Sequence, residues 1–450
     1  MKRAGISIAI GTLLLVGPGG AAERNGSSSM TDLVRGRSGV DVRWLPNGEE
    51  AGTADTVHAL LQGDLTADRA VRVALLNNRG LRAEFEEIGI SQAEFRQALL
   101  PTNPALGGEI RSGGAGHHPG EFIVMQDLSS ILLAPLRRRV ARAALEQANL
   151  RAADGALDVV RETRSAFYEL QAVEQVRELW GKTSASAQAG ADLARRQHEV
   201  GNITDLDLEN EQALYEQSKI ELARSQAETL AARERLNRVM GTWGDQVTWQ
   251  VAANLPAVPA DTVSLAGLES TAISQRLDLA AADAEVRALT KAVPLARFSQ
   301  FPELRAGVHF EREPEGTRTT GPAVELAFPF FDRGQNTVAR ARAQLRQAQD
   351  RHAALAVEIR SQVRVARNRL VAAQQLAEYY RAAVLPRRRR IVEQTQLEFN
   401  GMLIGVYQLL QAKQGEVNAQ QESIEAHRDY WIARSELERA LGGPLPANSE

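Results

Sequence analysis

The stretch LEFNGMLIGVYQLLQAKQ (397–414) interrupts a segment whose composition otherwise predicts one very long helix. Two glycines, Gly401 and Gly405, lie within it, although each glycine in a helix interior costs about 1 kcal/mol relative to alanine. A related glycine-bearing stretch, HEVGNITDLDLENEQ (198–212), divides a long helical segment in the first half of the chain. The interpretation of the fold therefore depends on the reason why two long helical segments are interrupted at corresponding points.

The two halves of the chain repeat one another at a nearly constant spacing. Three segments of the first half recur 198 positions later: ALLNNRGLRA (74–83) as AISQRLDLAA (272–281), NPALGG (103–108) as FPELRA (301–306), and VARA (140–143) again as VARA (338–341). The two interrupted stretches align at a spacing of 201, which matches Gly201 with Met402 and Thr204 with Gly405. The chain is therefore predicted to be an internal tandem duplication.

Helical periodicity in both repeats predicts unusually long helices. From about Pro135 to Val200 the first repeat has about 65 helical residues, which corresponds to about 100 Å at 1.5 Å per residue. Such lengths are typical of an extended bundle or coiled coil. Pro386 predicts a local kink in the corresponding helix of the second repeat.

The predicted organisation of the chain follows this duplication. It consists of a signal peptide (1–22), an irregular N-terminal segment (23–64), a first repeat (65–240) with a β-hairpin near 104–130 and a turn near 201–205, a linker (241–264), a second repeat (265–443) with a β-hairpin near 302–329 and a turn near 401–405, and a C-terminal tail (444–450).

The N-terminus has the features of an export signal. Lys2 and Arg3 precede an apolar run from Ile6 to Val16, which is too short to span a bilayer. Small residues ending at Ala22 fit a cleavage site. The protein is therefore predicted to be exported. No later segment has the roughly 20 apolar residues of a transmembrane helix, so membrane insertion would require β-strands.

Composition limits the classes of protein to which the chain can belong. The 450 residues include no cysteine, which excludes disulfides, thiolate metal sites and lipidation of an N-terminal cysteine. The formal net charge of −3 gives no general basic surface, so nucleic acid is not expected as a partner. No catalytic or cofactor-binding motif is found, so we expect neither enzymatic activity nor a cofactor.

The predicted strands alternate between apolar and other residues. In PELRAGVHFE (302–311) and GPAVELAFPF (321–330) every second residue is apolar over about ten residues, a pattern typical of strands with lipid on one face and water on the other. The first hairpin, EFIVMQDLSSILL (121–133), alternates less cleanly. Four strands cannot close a barrel, so closure would require several chains to contribute strands.

Few residues have the chemistry of a metal site. His117 and His118 in GAGHHPGE (114–121) are weak candidates, since imidazole suits zinc or copper but no further ligand is nearby; a solvated loop is the alternative. Two arginine clusters, at 137–139 and 387–390, are either solvated helix faces or contacts for phosphate groups. For 137–139 the second interpretation places lipid headgroups near the strand–helix junction.

The combination of these features resembles the TolC-type family of outer-membrane efflux proteins. The resemblance covers about 65–443 and is carried by the duplication, by the two glycine-bearing stretches, and by LRAEFEEI (81–88), RLDLAAADAEVRAL (276–289) and LAFPFFDRGQNTVARARAQL (326–345). TGPAVELAFPFFDRGQ (320–335) and FNGMLIGVYQLLQAKQ (399–414) are most similar to the cobalt–zinc–cadmium efflux branch.

The resemblance implies a mainly α fold with a small β part, in which three chains contribute four strands each to one membrane β-barrel. A long α-helical barrel would continue it into the periplasm. The implied partners are two further copies in a homotrimer, a periplasmic adaptor protein, an inner-membrane pump of the resistance–nodulation–division type and outer-membrane lipid. The implied function is a passive exit duct for divalent heavy-metal cations.

Under this resemblance the glycine-bearing stretches are the periplasmic tips, where the chain reverses. Glycine would supply the backbone conformations of the turn at Gly201, Gly401 and Gly405, and Asn202, Thr204 and Asp205 would cap the outgoing helix. The adaptor-docking residues carried over by position are Gly201, Thr204, Asp205, Leu206, Gly405, Val406 and Tyr407. Asp207 and the matching Gln408 are the candidate gate residues.

Two alternatives remain at this level. Within the family, the cargo would be drugs or a secreted polypeptide, since the pump largely selects it. In a different class, the chain would be a periplasmic helical scaffold without a pore, its hairpins packed on its helices. The strand pattern distinguishes these classes, because a pore requires a lipid-facing side on all four strands.

Overall fold

The computed structural model describes residues 30–40, 53–110, 120–251, 254–259, 267–313, 317–331 and 333–445. The predicted signal peptide, the C-terminal end of the predicted tail and the histidine pair His117–His118 lie outside the described residues.

Long helices account for most of the described chain, and two short hairpins interrupt them. In order, the elements are α1 (30–38), α2 (Thr53–Leu61), β1 (Asp64–Leu65), α3 (Ala67–Asn77), α4 (Arg79–Leu99), β2 (Ala105–Ile110), β3 (Gly120–Asp127), α5 (Leu128–Glu199), α6 (Asp205–Met240), β4 (Gln250–Val251), α7 (Leu268–Gln275), α8 (Leu277–Arg297), β5 (Glu303–Arg312), β6 (Arg318–Ala327), α9 (Gln335–Tyr379), α10 (Leu385–Asn400) and α11 (Val406–Leu441).

The duplication predicted from sequence is visible in the element boundaries. Helices α4 and α8 each have 21 residues and start 198 positions apart, at Arg79 and Leu277. Helices α6 and α11 each have 36 residues and start 201 positions apart, at Asp205 and Val406. The spacing therefore changes by three residues between the strands and the hairpin turns, as the sequence alignment of the two tips indicated.

Helix α5 begins earlier than the sequence analysis placed it. It has 72 residues, starts at Leu128 directly after β3, and contains Pro135 in its second turn. Asp127 caps it by accepting a hydrogen bond at 3.0 Å from the backbone N–H of Ser130. The side-chain cap of Asp127 therefore fixes the start of α5 one to two turns before Pro135, near which the sequence predicted it.

The two hairpins form one antiparallel sheet in the order β2-β3-β5-β6. Strand β3 of the first repeat pairs with β5 of the second over eight residues, from Gly120 opposite Arg312 to Asp127 opposite Arg305. This central pair joins the repeats. The backbone N–H of Leu304 also donates to Oγ of Ser129 at 2.7 Å, which ties β5 to the first turn of α5.

Helix α5 is the central element of the helical part. It packs against α4, α6, α8 and α11, while α9 packs against α8 and α11. Small residues let these helices approach closely, and the buried positions of α5 include Ala152, Ala153 and Ala156. Three separate apolar clusters follow the helices, as expected for an elongated bundle rather than a single compact core.

A buried ion network joins α5 to α11. Arg439 donates to Asp158 through Nε at 2.7 Å and to Asp154 through Nη2 at 2.8 Å, and 285 positions separate Arg439 from Asp154. Burial raises the pKa of Asp154 to about 6, although the neighbouring Arg439 guanidinium opposes the rise. Next to this network, Arg276 holds Asp278 through two hydrogen bonds.

The second long helix is not uniform. Between α9 and α10, Tyr380–Val384 forms a turn of π-helix, and Pro386 follows in the first turn of α10. A proline removes a backbone donor and disturbs the preceding turn, so this irregularity lies where Pro386 predicted a kink. The helical path nevertheless continues from Gln335 to Asn400.

Gly241 at the end of α6 offers a test of the turn geometry. Its φ is +68°, and an added Cβ would lie 2.7 Å from the carbonyl oxygen of Asn77. We expect Gly241→Ala to lower the free energy of unfolding by about 2 kcal/mol. Thermal unfolding in detergent measures this loss. Gly181→Ala is the matched control, because no atom lies within 4 Å of a Cβ there and the helix interior should gain about 1 kcal/mol. Equal effects of the two substitutions would contradict the prediction.

Asp154 predicts a pH dependence of stability. Its folded pKa of about 6 lies above the value of about 3.9 in an unfolded chain, so the folded state binds the proton more tightly. The stabilisation of the folded state by protonated Asp154 is fully present below about pH 4 and is lost as the pH rises through about 6. The stability of the parent relative to Asp154→Asn should therefore fall by roughly 3 kcal/mol between these limits. Unfolding midpoints of both proteins across this range provide the measurement, and a constant difference would contradict the prediction.

Candidate functional site

The first hairpin turn lies between α5 and α6. After Val200, Gly201 adopts φ +75°, and the backbone N–H of Asn202 donates to the carbonyl of Gln197 at 2.8 Å. This bond and the one from Gly201 N–H to His198 O satisfy the last carbonyls of α5. The expectation that glycine provides the turn conformation is therefore confirmed at Gly201.

The second hairpin turn, between α10 and α11, has the same hydrogen bonds but a different residue in the left-handed conformation. Leu403 N–H donates to Glu398 O at 2.9 Å, while Met402 has φ +57°. Gly401 has φ −79° and Gly405 has φ −80°. The prediction that these two glycines supply the special conformation is wrong, because any L-residue can adopt these φ values.

Capping differs between the two turns. Thr204 accepts a hydrogen bond from the N–H of Asp207 at 3.2 Å, and the Asp207 carboxylate accepts from the N–H of Thr204 at 3.3 Å. This reciprocal pair is a capping box and confirms Thr204 as the cap. Asp205 does not cap; it contacts His198 Nε2 at 2.6 Å across the turn. Gly405 begins α11 without a side-chain cap.

The capping box bears on the proposed gate residue Asp207. Its carboxylate also accepts from the Thr204 hydroxyl at 2.8 Å, so it is committed to the local turn within one chain. Gln408, the matching residue of the second repeat, is exposed. The two candidate gate residues therefore have different surroundings, one tied to its own helix start and one open to solvent.

Both turns expose large apolar side chains to solvent. The exposed fractions are 70% for Val200, 70% for Leu206, 70% for Leu397, 92% for Met402, 78% for Leu403 and 61% for Tyr407. Side chains of this size at the end of a long hairpin are typical of a contact surface for another protein. The predicted docking residues Leu206 and Tyr407 are part of it, whereas Val406 is half-buried.

The other unusual surface is one face of the four-stranded sheet. All of its large exposed apolar side chains lie on this face according to the register: Leu106 and Ile110 of β2, Phe122 and Val124 of β3, Val308 and Phe310 of β5, and Val324 and Leu326 of β6. We call this surface the apolar sheet face. Every strand contributes to it, including those of the first hairpin, whose alternation was the less regular in sequence.

The opposite face of the sheet carries charged side chains, together with Ile123 and Met125 of β3. His309 Nε2 lies 3.0 Å from Glu121, and Arg305 lies 3.5 Å from Glu325. Ion pairs across neighbouring strands are compatible with a water-facing surface. The sheet thus has one face that carries its large exposed apolar side chains and another that carries its ion pairs.

Neither metal binding nor helical membrane insertion has support in the described ranges. No group of three or more histidine, aspartate or glutamate side chains there has a geometry that could hold a metal ion. No helix in these ranges is both long and apolar enough to cross a bilayer. The weak metal candidates His117 and His118 lie outside these ranges, so their prediction stays open.

Comparison with known proteins identifies the family. The profile described as outer membrane efflux protein matches residues 134–242 and 268–443, which is more than half of the chain. The chain belongs to the outer membrane efflux protein family. The first matched range covers the long helices of the first repeat and the second covers nearly all of the second repeat, and this membership confirms the resemblance drawn from the sequence. Proteins of this family are transport channels, which confirms that the chain is not an enzyme.

Individual members of the family include metal-efflux proteins. The chain is 24% identical to the cobalt-zinc-cadmium resistance protein CzcC of Cupriavidus metallidurans over 387 residues, which covers 84% of this chain and 90% of CzcC. It is 23% identical to the cation efflux system protein CusC of Escherichia coli K12, covering 61% of this chain and 64% of CusC. The crystal structure of the Campylobacter jejuni CmeC outer membrane channel shares its fold, with a TM-score of 0.72, 15% identity, and coverage of 85% and 87%.

The alignment of the two repeats could have revealed the role of Met402. It placed Met402 opposite Gly201, and these are the residues with positive φ in the two turns. The signal was therefore present in the 201-residue spacing, but glycine composition drew attention to the neighbouring Gly401 and Gly405.

The strain at Met402 can be tested directly. A left-handed conformation costs an L-residue roughly 1–2 kcal/mol, so Met402→Gly should stabilise the second turn and slow amide hydrogen exchange at its end. Gly201→Ala should have the opposite effect on the first turn. Hydrogen exchange resolved by residue measures both. Faster exchange around the second turn of Met402→Gly would contradict the assignment.

Proposed function

We propose that the protein is the outer-membrane exit duct of a tripartite efflux system, in which three copies form one continuous channel. The observation that carries the proposal is the apolar sheet face, which all four strands share and no part of the described chain covers. Burying such a face against lipid removes its side chains from water, and the polar face is then left for the aqueous interior. This arrangement favours a channel over a periplasmic scaffold, whose hairpins would pack on its own helices.

The free edges of the sheet support a trimer. In the described chain, β2 and β6 each pair with a single neighbour, so each presents an unpaired row of backbone donors and acceptors. Such groups cannot remain unpaired in hydrocarbon. Pairing β6 of one copy with β2 of the next closes a barrel, and three copies would give twelve strands. The same ring would place the long hairpins side by side as a helical barrel in the periplasm.

The hairpin tips are the proposed docking surface for a periplasmic adaptor. The exposed side chains of Leu206 and Tyr407 lie in the first turns of α6 and α11, on opposite repeats. Three copies would therefore present six such tips. An adaptor that contacts them would connect the duct to an inner-membrane pump of the resistance–nodulation–division type. The duct itself conducts passively.

Divalent heavy-metal cations are the proposed cargo. Support comes from the similarity to CzcC and CusC, a cobalt-zinc-cadmium resistance protein and a cation efflux protein by name. The charged inner face, with glutamates at 121, 303, 311 and 325, is compatible with cations. Drug efflux and polypeptide secretion are the alternatives, and substrate tolerance assays distinguish them.

The channel assignment is tested by the native mass of the mature protein. After gentle extraction from separated outer membranes, we expect a species of three chains. Insertion of this species into planar bilayers should give ion conductance. A soluble periplasmic monomer or dimer would overturn the proposal and leave the helical scaffold as the better interpretation.

The docking surface is tested with one exposed leucine at the tip. Leu206→Glu places a charge in a proposed apolar contact, so we expect adaptor binding to weaken at least tenfold and tolerance of cobalt, zinc and cadmium to fall. Leu230→Glu is the matched control, since Leu230 lies on the same helix and is 66% exposed against 70% for Leu206. Both variants should remain trimeric. Unchanged binding and tolerance in Leu206→Glu would contradict the docking assignment.

A further inference from the structure

Three of the four segments where helices leave the sheet contain basic residues and no acidic ones, whereas the fourth, the end of α4, carries Glu94. Residues 128–145 at the start of α5, 288–302 at the end of α8, and 333–349 at the start of α9 contain neither aspartate nor glutamate. The nearest acidic residues along the chain are Asp127, Glu146, Glu285, Glu303, Asp332 and Asp350. We call these three segments the basic collar. In a chain with more acidic than basic residues, such a segregation of charge requires an explanation.

The three segments lie beside one another. The contact of Ser129 with Leu304 fixes one end of α5 at the sheet, and the hydrogen bond from Gln147 to Glu285 at 2.8 Å fixes α8 beside it further along. Gly334 packs so closely on Ser299 that an added Cβ would clash, which places the start of α9 against the end of α8. The three segments of the collar therefore form one zone at the helical end of the sheet.

Most of its basic side chains are exposed and form no ion pair in the described chain. The six that matter here are Arg138, Arg139, Arg142, Arg297, Arg340 and Arg342, and none of them forms an ion pair within the described part of the chain. Beyond the collar, by contrast, Arg151 pairs with Glu285 and Arg287 with Glu146. Unpaired arginines at this density repel one another unless an outside anion neutralises them.

Assembly concentrates this positive charge. In a cyclic oligomer every copy has the same residues at the same height, so neighbouring chains bring further arginines of the collar to this level. Glu94 at the end of α4 is the acidic side chain that each copy brings there, and six exposed arginines of the collar outnumber it. Most of this charge is therefore left for a separate anionic surface.

Exposed aromatic side chains on the sheet side of the collar indicate what that surface is. Phe298, Phe301, Phe328, Phe330 and Phe331 are between 43% and 101% exposed, and they flank the helical ends of β5 and β6. Aromatic residues at this position are typical of the boundary between acyl chains and headgroups. At 1.5 Å per residue along the helix axis, Arg138 of α5 lies about 6 Å further from the sheet than Phe298 at the end of the antiparallel α8. This offset matches the thickness of a headgroup layer, which is about 5–8 Å on each side of a bilayer.

We propose that the basic collar binds the anionic headgroups of phospholipids in the inner leaflet of the outer membrane, with the five phenylalanines in the adjoining acyl region. The guanidinium groups would hold headgroup phosphates, which arginine binds in a bidentate manner. This inference rests on the proposed membrane insertion of the sheet. It adds a lipid class to that proposal and assigns the arginines a role in setting the depth of the protein in the bilayer.

The test uses the full-length protein purified in a non-ionic detergent. Native mass spectrometry compares retention of added phosphatidylglycerol with that of phosphatidylcholine on the parent and on Arg138→Gln/Arg139→Gln. Each basic residue near an anionic surface changes binding by roughly fivefold, so the double variant should retain phosphatidylglycerol at least tenfold more weakly. Arg389→Gln/Arg390→Gln is the control, because it removes the same charge from exposed positions of α10 near the hairpin tip.

The expected result is a preference of the parent for phosphatidylglycerol that the collar variant loses and the control retains, with the same oligomer mass in all three proteins. Equal retention of the two lipids by the parent, or equal losses in both double variants, would overturn the inference while leaving the channel proposal intact. A parent protein that forms no oligomer in detergent would overturn the channel proposal and this inference together.

Discussion

The pairing of β3 with β5 is the constraint on which the rest of the structure depends. It joins the first repeat to the second through eight opposed residues and turns two marginal hairpins into one four-stranded sheet. Because α5 follows β3 and α8 precedes β5, the same pairing also sets two of the long helices side by side. The spacing of 198 between repeats is preserved through the strands, so the apolar residues of both hairpins fall on one face.

In the middle of the helical part, ion pairs join the repeats in addition to apolar contacts such as the stacking of Tyr168 on Trp431. Arg439 of the last helix reaches Asp154 and Asp158 of α5, and Arg276 packs against Gly442 near the end of the same helix. Removing one partner of such a network leaves a buried charge unpaired, which is far more costly than never forming the network. The bundle is therefore held at two levels, by backbone pairing in the sheet and by ion pairs in the middle of the helices.

Sequence predicted the larger features because each has a local signature. Period-two alternation marked the strands, helical periodicity marked the long helices, and Thr204 marked a helix start. The network of Arg439 could not be predicted in this way, because residues 285 positions apart share no local pattern. The second turn was misjudged for a different reason. The glycines at 401 and 405 predict a glycine conformation that they do not adopt, while the strained position belongs to Met402, whose neighbours on either side have ordinary φ values.

The absence of any connecting residue between β3 and α5 has a mechanical consequence. Asp127 ends the strand and Leu128 begins a helix of 72 residues, so a displacement at the first tip is transmitted along one uninterrupted rod to the sheet. In the second repeat, seven positions separate Ala327 from Gln335, and a π-turn at Tyr380–Val384 divides the helix beyond. One chain thus combines a single continuous helix with a helical path that contains a π-turn, at nearly equal length, although both arose from the same duplicated unit.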